Sequence, residues 1–462
     1  MSRAAVAPRR RDAAAVLAVG LAARLAVAWA AGSRFPAVED GHYYDVLARR
    51  LAGGAGYTWL WPDGAVTYVA HYPVGYPALL GVMYALFGAS PAVAMTLNAL
   101  LGGASAYAAH RLVDGGGVAR WRPAAAGLVV ALHPALVPYT AAVMTEGVTT
   151  SLVVVAAAVA ACARGGQRAR VWLALAGLVL GVAVLVRPQT LALVPVIGAL
   201  AVPAEAGLRA RALRAAGVTL VALACVAPWT ARNCVRMHRC ALVSVNGGWN
   251  LLIGAVTTTG GWQPAPVPAE CATVWDEAAK DACFEQAARR AIRGAPLAWL
   301  ARAPAKLAST FDYFGAAPWY LHASAPAVFD EQDKVKLGAA EVFASRLLLL
   351  GALVTCGRMA GARGLARKLV ALAGAAAAVT VHGWIGYLAV AACIALAGRR
   401  ALANAPMIVP LTAAVVVATA VVHAVFFGAG RYGLAVVPFV AMLTFVPRGA
   451  AEGDDHASHE GG

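Results

Sequence analysis

Charged residues are scarce in this 462-residue chain: Asp, Glu, Lys and Arg make up 13% of it, against 61% for the hydrophobic set. An ordinary water-soluble domain carries about 25% charged residues, so that class is excluded. Acids are scarcer than bases, 22 against 38. Also missing are a Gly-rich phosphate loop, an HExxH helix and a GxSxG turn, so nucleotide-driven transport and membrane serine proteolysis lose their usual signatures. Long hydrophilic segments are few. Only 32–72 and about 232–340 are large enough to hold chemistry.

What fills the chain instead is apolar sequence, with a mean hydropathy of +0.69. Runs of near-spanning length recur from residue 13 to 446, and a bilayer core needs about 20 apolar residues per helix. Unpaired amides are excluded from hydrocarbon and the runs are too long for barrel strands, so the spans are helices. In a soluble protein a net charge of +16 would point to nucleic acid. Here the bases cluster between apolar runs, so they set topology and no nucleic-acid partner is expected. Placing Arg9 to Arg11, Arg111 to Arg122, Arg164 to Arg170, Arg209 to Arg214, Arg358 to Lys368, Arg399, Arg400 and Arg448 in the cytosol gives about twelve spans. These are 13–31, 91–109, 121–138, 146–163, 171–186, 189–203, 214–230, 343–357, 369–382, 384–398, 406–425 and 432–447. The Ala-rich stretch 369–398 also reads as one long helix. Residues 73–88 are short and begin with Pro73, Gly75 and Pro77, which predicts an interfacial or re-entrant helix. The expected organisation is an all-α polytopic membrane domain over 1–447, with a first outer loop at 32–90 and a large one at 231–342. Residues 448–462, AEGDDHASHEGG and its flank, read as a disordered cytoplasmic tail. Its His456 and His459 make a poor case for a metal site.

Of the eight Cys, Cys162, Cys225, Cys356 and Cys393 lie in or beside spans, where a thiol is a small apolar side chain. Cys234, Cys240, Cys271 and Cys283 share the large outer loop, which favours disulfides in an oxidising compartment. Four Cys allow three pairings; Cys234 with Cys240 and Cys271 with Cys283 is the local one, and free thiols are the alternative.

The acids point to a site at the membrane surface. Glu39 and Asp40 follow the first span, and Glu146 precedes the fourth. Deprotonating an acceptor hydroxyl needs a carboxylate near the bond being broken, and a lipid-linked substrate holds that bond at headgroup level. Glu39 and Asp40 also fit a solvated loop with a helix start at Asp40. Glu146 at a helix N-terminus complements the helix dipole, which explains it structurally, with acceptor contact the weaker reading. Arg187 in LVRPQT and Arg431 in GAGRYG sit alone at outer turns against the positive-inside trend. A lipid phosphate, a site carboxylate or snorkelling to headgroups accounts for each. Arg232 in PWTARNC reads as headgroup or donor contact. His42 and His71 lack ligand spacing, so no metal is indicated, with a divalent ion at the first loop as the disfavoured alternative. In 275–311 a helical pattern predicts two amphipathic helices split near Gly294 and Pro296, with Trp275, Cys283, Ala287, Ile292, Trp299 and Leu300 on the apolar side. Tyr313, Trp319 and Tyr320 are candidate lining for an acceptor pocket.

The run from Glu39 to Gly88, with ED, YY, LA, GGAGY, HYPVGYPALL and YALFG, resembles the first outer loop of the GT-C superfamily of membrane glycosyltransferases. The branch is that of protein O-mannosyltransferases, lipid A aminoarabinose transferases and dolichyl-phosphate-mannose-mannosyltransferase-like proteins. VMTEGV, LVRPQT, APWTARNC followed by SVNGGWNLLIG, and GRYGLAVVP are similar too, so the resemblance covers about 13–447. It implies a GT-C-like bundle with catalytic outer loops, a polyprenyl-phosphate sugar donor, and inverting transfer without a nucleotide sugar. It further implies the outer, periplasmic face of a bacterial inner membrane as the place of reaction. A first-loop acid acts as base in that family; Asp40 matches it, with Tyr44 four residues on. Glu-Asp stands where many relatives have Asp-Glu or Asp-Ser, which leaves Glu39 and Asp40 both open. Arg187, Arg232 and Arg431 match basic positions expected to hold the donor phosphate, and Tyr44, His71, Tyr72 and Glu146 are expected donor or acceptor contacts. No cofactor is called for. The acceptor is an unknown glycan, lipid or protein. The alternative is a lipid or solute transporter, which predicts ionisable residues at mid-membrane and two related halves; only Arg24 is clearly embedded.

Overall fold

The computed structural model describes residues 3–114, 118–166, 168–203, 206–312, 315–359 and 363–447. Tyr313, Arg448 and the expected tail with His456 and His459 lie outside the described residues. Among the described residues, apart from one short hairpin in which Thr58–Leu60 pairs antiparallel with Val66–Tyr68, the regular structure is helical.

Among the described residues seven helices are long and apolar enough to cross a membrane: Arg9–Arg34, Pro91–Val113, Thr145–Gly165, Ala169–Val186, Leu208–Arg236, Glu331–Gly357 and Ile408–Val425. The other five expected spans are present as shorter pieces, and proline explains three of them. Residues 121–138 are helical only from Trp121 to Leu132, ahead of Pro134. Pro188 opens a 3-10 turn over Pro188–Leu193 before helix Val194–Leu200. In the last pass a 3-10 turn Gly430–Ala435 precedes helix Val437–Thr444, which carries Pro438 in its first turn. Proline is well tolerated in a first turn, although helix Leu208–Arg236 carries Pro228 in its interior. The stretch 369–398 is two helices, Gly364–Ala378 and Gly383–Leu396, packed on one another. Residues 73–88 give helix Gly75–Phe87, 13 residues long and packed on helix Asp40–Ala52.

Arg24, the embedded charge, has a structural cause. Pro134 has no N–H for the carbonyl of Val130, and the Ala135 amide is taken by His133 Nδ1 at 3.1 Å, so the last carbonyls of helix Trp121–Leu132 lose their partners. Arg24 donates to both, at 2.9 Å to Val130 and 2.8 Å to Ala131. The charge is therefore engaged in closing a helix end, and a transport relay loses its only mid-membrane candidate from the sequence.

Most of the basic clusters that fall among the described residues gather at one end of the bundle. Arg9 pairs with Asp114 and Arg120 with Asp12. Arg122 donates to the carbonyls of Phe445 and Val446, and Arg164 and Arg214 to those of Val202 and Ala201. At the opposite end, helices Gly247–Val256 and Glu277–Gly294 pack as a small unit above the bundle, with Cys234–Cys240 and Cys271–Cys283 as the two disulfides. The 275–311 stretch does break at Gly294, into Glu277–Gly294, Pro296–Ala301 and Ala303–Phe311. Its buried face differs from the expected one: Ala278, Asp281, Phe284 and Ala288 are buried, while Trp275 and Leu300 are exposed. Asp281 belongs to that face because its side chain accepts from the Trp249 amide at 3.1 Å, a polar contact that hydrophobic periodicity does not register.

Candidate functional site

The site is built where helices stop short of the end away from the basic clusters. The residue before a proline is biased away from helix, and Arg187, before Pro188, leaves helix Ala169–Val186 in an extended conformation. Its guanidinium turns to the start of helix Thr145–Cys162: Nη1 donates to Glu146 Oε1 at 2.7 Å and to Thr145 Oγ1 at 2.9 Å. Gln189, with its amide oxygen turned toward Arg187, accepts from Nη2 and Nε at 2.9 and 2.8 Å. Most donor capacity of Arg187 is thus taken up inside the chain.

Arg431 comes from the 3-10 turn of the last pass. Its Nη2 donates to Asp40 Oδ2 at 2.9 Å. Its Nε lies 3.3 Å from Glu146 Oε1 without the alignment of a hydrogen bond, so that contact is coulombic and Nε stays a buried donor without a hydrogen-bond partner. Glu146, 5% exposed, also accepts from Tyr139 Oη at 3.0 Å. Two carboxylates and two guanidinium groups therefore form one set of zero formal charge. The ring of Tyr432 lies under both arginines, at 5.0 and 5.3 Å, and stacks on His423 at 4.2 Å.

Asp40 is delivered by a strained turn. Glu39 takes φ +52°, where residues with a side chain seldom go, and helix Asp40–Ala52 begins at the next residue. Gly41 permits the close approach that follows: a Cβ there would lie 2.7 Å from the Val143 carbonyl oxygen and 2.9 Å from Tyr320 Oη. Tyr320 Oη accepts from the amides of Val143 at 3.2 Å and Val38 at 3.4 Å, tying the loop before Asp40 to the loop before Glu146. Tyr72 Oη donates to Asp40 Oδ1 at 3.3 Å. Burial, then the charge of Asp40, hold the Tyr72 phenol well above its ordinary range, and burial lowers His71, so both are neutral at pH 7.

Two cavities meet at this cluster. The first, of about 620 Å³, is lined by Asp40, Tyr44, His71, Tyr72, Glu146, Arg187 and Arg431, with Asn246 and Asn250 from the outer unit. The second, of about 540 Å³, is lined by Glu39, Tyr139, Trp319 and Tyr320. Asp40, Trp262 and Arg431 face both. A narrow apolar slot lined by Val153, Leu193, Val415 and Phe439 leads from Glu146 and Arg187 between helices Thr145–Cys162 and Ile408–Val425.

Most of the expected site residues are thus brought together, and two stand apart. Glu39 faces only the second cavity. Arg232 does not join the cluster: its guanidinium donates to the carbonyls of Val69 and Tyr57, both at 2.9 Å, beside the rings of Trp229, Tyr57 and Tyr68. It fastens the first outer loop to helix Leu208–Arg236 and does not line the cavities. In the SVNGGWN turn the Trp249 amide donates to Asp281, while Asn246 and Asn250 face the first cavity. Among the described residues no three His, Cys, Asp or Glu side chains form a metal-ligand group. Sequence reasoning missed Tyr139, Gln189, His423, Tyr432 and Trp262. Gln189 and Tyr432 stand within the motifs LVRPQT and GRYG that had been singled out; nothing in the sequence marks Trp262.

No family model matches the chain, and no curated protein matches it significantly. Solved structures similar to it include the archaeal oligosaccharyltransferase AglB from Archaeoglobus fulgidus in complex with an inhibitory peptide and a dolichol-phosphate. That match has 14% identity and a TM-score of 0.47, covering 96% of this chain and 50% of the other. ArnT from Cupriavidus metallidurans bound to undecaprenyl phosphate matches at 14% identity and a TM-score of 0.37, covering 96% and 78%. Its apo form gives 18% and 0.39 over the same shares. The chain spans about half the length of the oligosaccharyltransferase it resembles. Similarity this distant assigns no activity, sugar or acceptor.

Proposed function

We propose that the chain is a GT-C-type glycosyltransferase that moves a sugar from a polyprenyl-phosphate donor to an acceptor hydroxyl, with inversion, on the periplasmic face of a bacterial inner membrane. The observation that carries this reading is the Asp40–Arg431 pair, 2.9 Å apart, at the junction of two cavities and beside an apolar slot. A transferase needs a base at the acceptor hydroxyl and an anion-stabilising cation at the donor phosphate, with separate room for the two substrates.

In this reading Asp40 takes the proton of the acceptor hydroxyl while its oxygen attacks the anomeric carbon. The carbon–oxygen bond to the phosphate breaks, and the polyprenyl phosphate leaves with the electron pair. Arg431, which lines both cavities, meets the developing charge; Arg187 supports it through Glu146 and adds long-range positive potential. Phosphate is already a good leaving group, so no general acid is required. The prenyl chain enters at the apolar slot. Tyr44, His71 and Tyr72 shape the donor cavity, and Glu39 belongs to the acceptor side. No metal is assigned a step.

Incubating the purified protein with a panel of polyprenyl-phosphate sugars and mixed acceptors, and measuring free polyprenyl phosphate, tests the reading. Release that requires acceptor is expected; no release with any donor overturns it. Sidedness is tested by cysteine labelling in intact cells: positions 39 and 262 should react with an impermeant reagent, and labelling of either only after lysis contradicts the outer-face assignment.

A further inference from the structure

We infer that the second cavity takes a neutral saccharide, which makes the acceptor an uncharged glycan or glycoside in preference to an anionic lipid headgroup or a peptide. This rests on the proposed transfer at Asp40 and adds the chemical class of its acceptor.

The first argument is charge. Among the described residues the ionisable side chains facing the 540 Å³ cavity are Glu39, Asp40 and Arg431, apart from the neutral phenols of Tyr139 and Tyr320. Arg431 already pairs with Asp40 and Glu146, and in the proposed reaction it also faces the donor phosphate. A phosphorylated acceptor would meet two carboxylates with no cation of its own, and an uncompensated buried charge is strongly disfavoured.

The second argument is the wall. Trp319 and Trp262 are 37% and 57% exposed, and neither belongs to a ring pair among the described residues. Their π-faces, negative at the centre, suit the slightly positive C–H faces of a sugar ring. The exposed carboxylate of Glu39 accepts from neighbouring hydroxyl groups, as a sugar edge offers them.

The third argument concerns peptides. An extended peptide is recognised through unpaired backbone groups along an edge. Here the cavity floor is closed on itself: Gly261 bridges Gly428, the Gly428 amide donates to Gly260 at 2.9 Å, and the Gly261 carbonyl accepts from Thr257 Oγ1 at 2.8 Å.

The test is saturation-transfer NMR on the full chain in nanodiscs, which reads binding without turnover. The probes are the neutral disaccharides mannobiose, gentiobiose and galactobiose, the 6-phosphate of each, and a short Ser/Thr peptide. At least one neutral disaccharide should bind, with its phosphorylated form about tenfold weaker. Trp319→Ala should weaken the sugar by roughly threefold to tenfold while Trp319→Phe retains most binding. Glu39→Gln should narrow the gap between neutral and phosphorylated probes. Binding of a phosphorylated probe as tight as its neutral form, binding of the peptide alone, no binding of any disaccharide, or indifference to Trp319→Ala overturns the inference. Failure of the transferase reading shows separately, as absent polyprenyl phosphate release.

Discussion

Replacing Asp40 by Asn separates the proposed base from every structural duty of the residue. The amide keeps an oxygen for Tyr72 Oη, now 3.3 Å away, and Arg431 retains Glu146 at 3.3 Å, so the fold should survive. What disappears is the proton acceptor. General base catalysis contributes roughly a hundredfold to ten-thousandfold, or about 3–5 kcal/mol of barrier, and kcat should fall by that amount. Donor affinity should move the other way. Asp40 is about a third exposed, so its pair with Arg431 is screened and holds the arginine by only about 1 kcal/mol. Freed of it, Arg431 should bind the donor phosphate somewhat more tightly. Steady-state assay of polyprenyl phosphate release at varied donor should therefore show a large loss in kcat with donor KM unchanged or lower. Glu39→Gln, on the acceptor side, should keep kcat and change acceptor KM. A variant at position 40 with a near-normal rate, or one whose loss lies wholly in KM, refutes Asp40 as the base. A larger kcat loss at position 39 moves the role there.

The other expectations concern what holds the site. Glu146→Gln leaves two guanidinium groups facing a neutral amide, which should cost about 3–5 kcal/mol; thermal unfolding in detergent should show it, and the double variant with Arg187→Gln should lose less than the two single losses added. Gly41→Ala pushes a methyl into the Val143 carbonyl and should lower kcat without unfolding the protein, whereas Gly294→Ala, with nothing within 4 Å of the new Cβ, should be silent in the same assay. Glu277, which accepts from the Ala70 amide at 2.6 Å, is raised by burial to about 6 from 4.5. The native protein thus holds this proton more tightly than the unfolded chain; the stabilisation is full below about pH 4.5 and lost as pH rises through about 6. The stability of wild type relative to Glu277→Gln should fall across that window, and a flat difference contradicts the assignment. Reduction of Cys271–Cys283 should expose the outer unit to protease, since closing a loop of this length is worth about 3 kcal/mol.

How far the sequence could be read follows from the range of each interaction. Helical passes and the basic end depend on local composition, so they were legible; lengths were not, since the prolines at 134 and 188 cut two expected spans short, whereas helices Leu208–Arg236 and Glu331–Gly357 run beyond the expected 214–230 and 343–357. Glu146 was read as a complement to its own helix dipole, a local reason that is sufficient and incomplete: one of its two arginines lies 41 residues away and the other is in the last pass. Arg187 and Arg431 were conspicuous as lone cations at outer turns. So was Arg232, and its isolation meant something else. The distinguishing sign was present, since Trp229 sits three residues earlier on the same helix, the spacing that puts an aromatic ring beside a guanidinium. An arginine with an aromatic at that spacing already has a partner. Arg187 and Arg431 instead follow breaks in helical structure, where freed backbone at membrane depth is tolerated only if protein or a water-filled cavity surrounds it. The helix interruptions and the charged cluster are therefore one feature: each 3-10 turn shortens its pass, the shortened passes leave the cavity, and the cavity is where two arginines and two carboxylates gather at that end of the bundle.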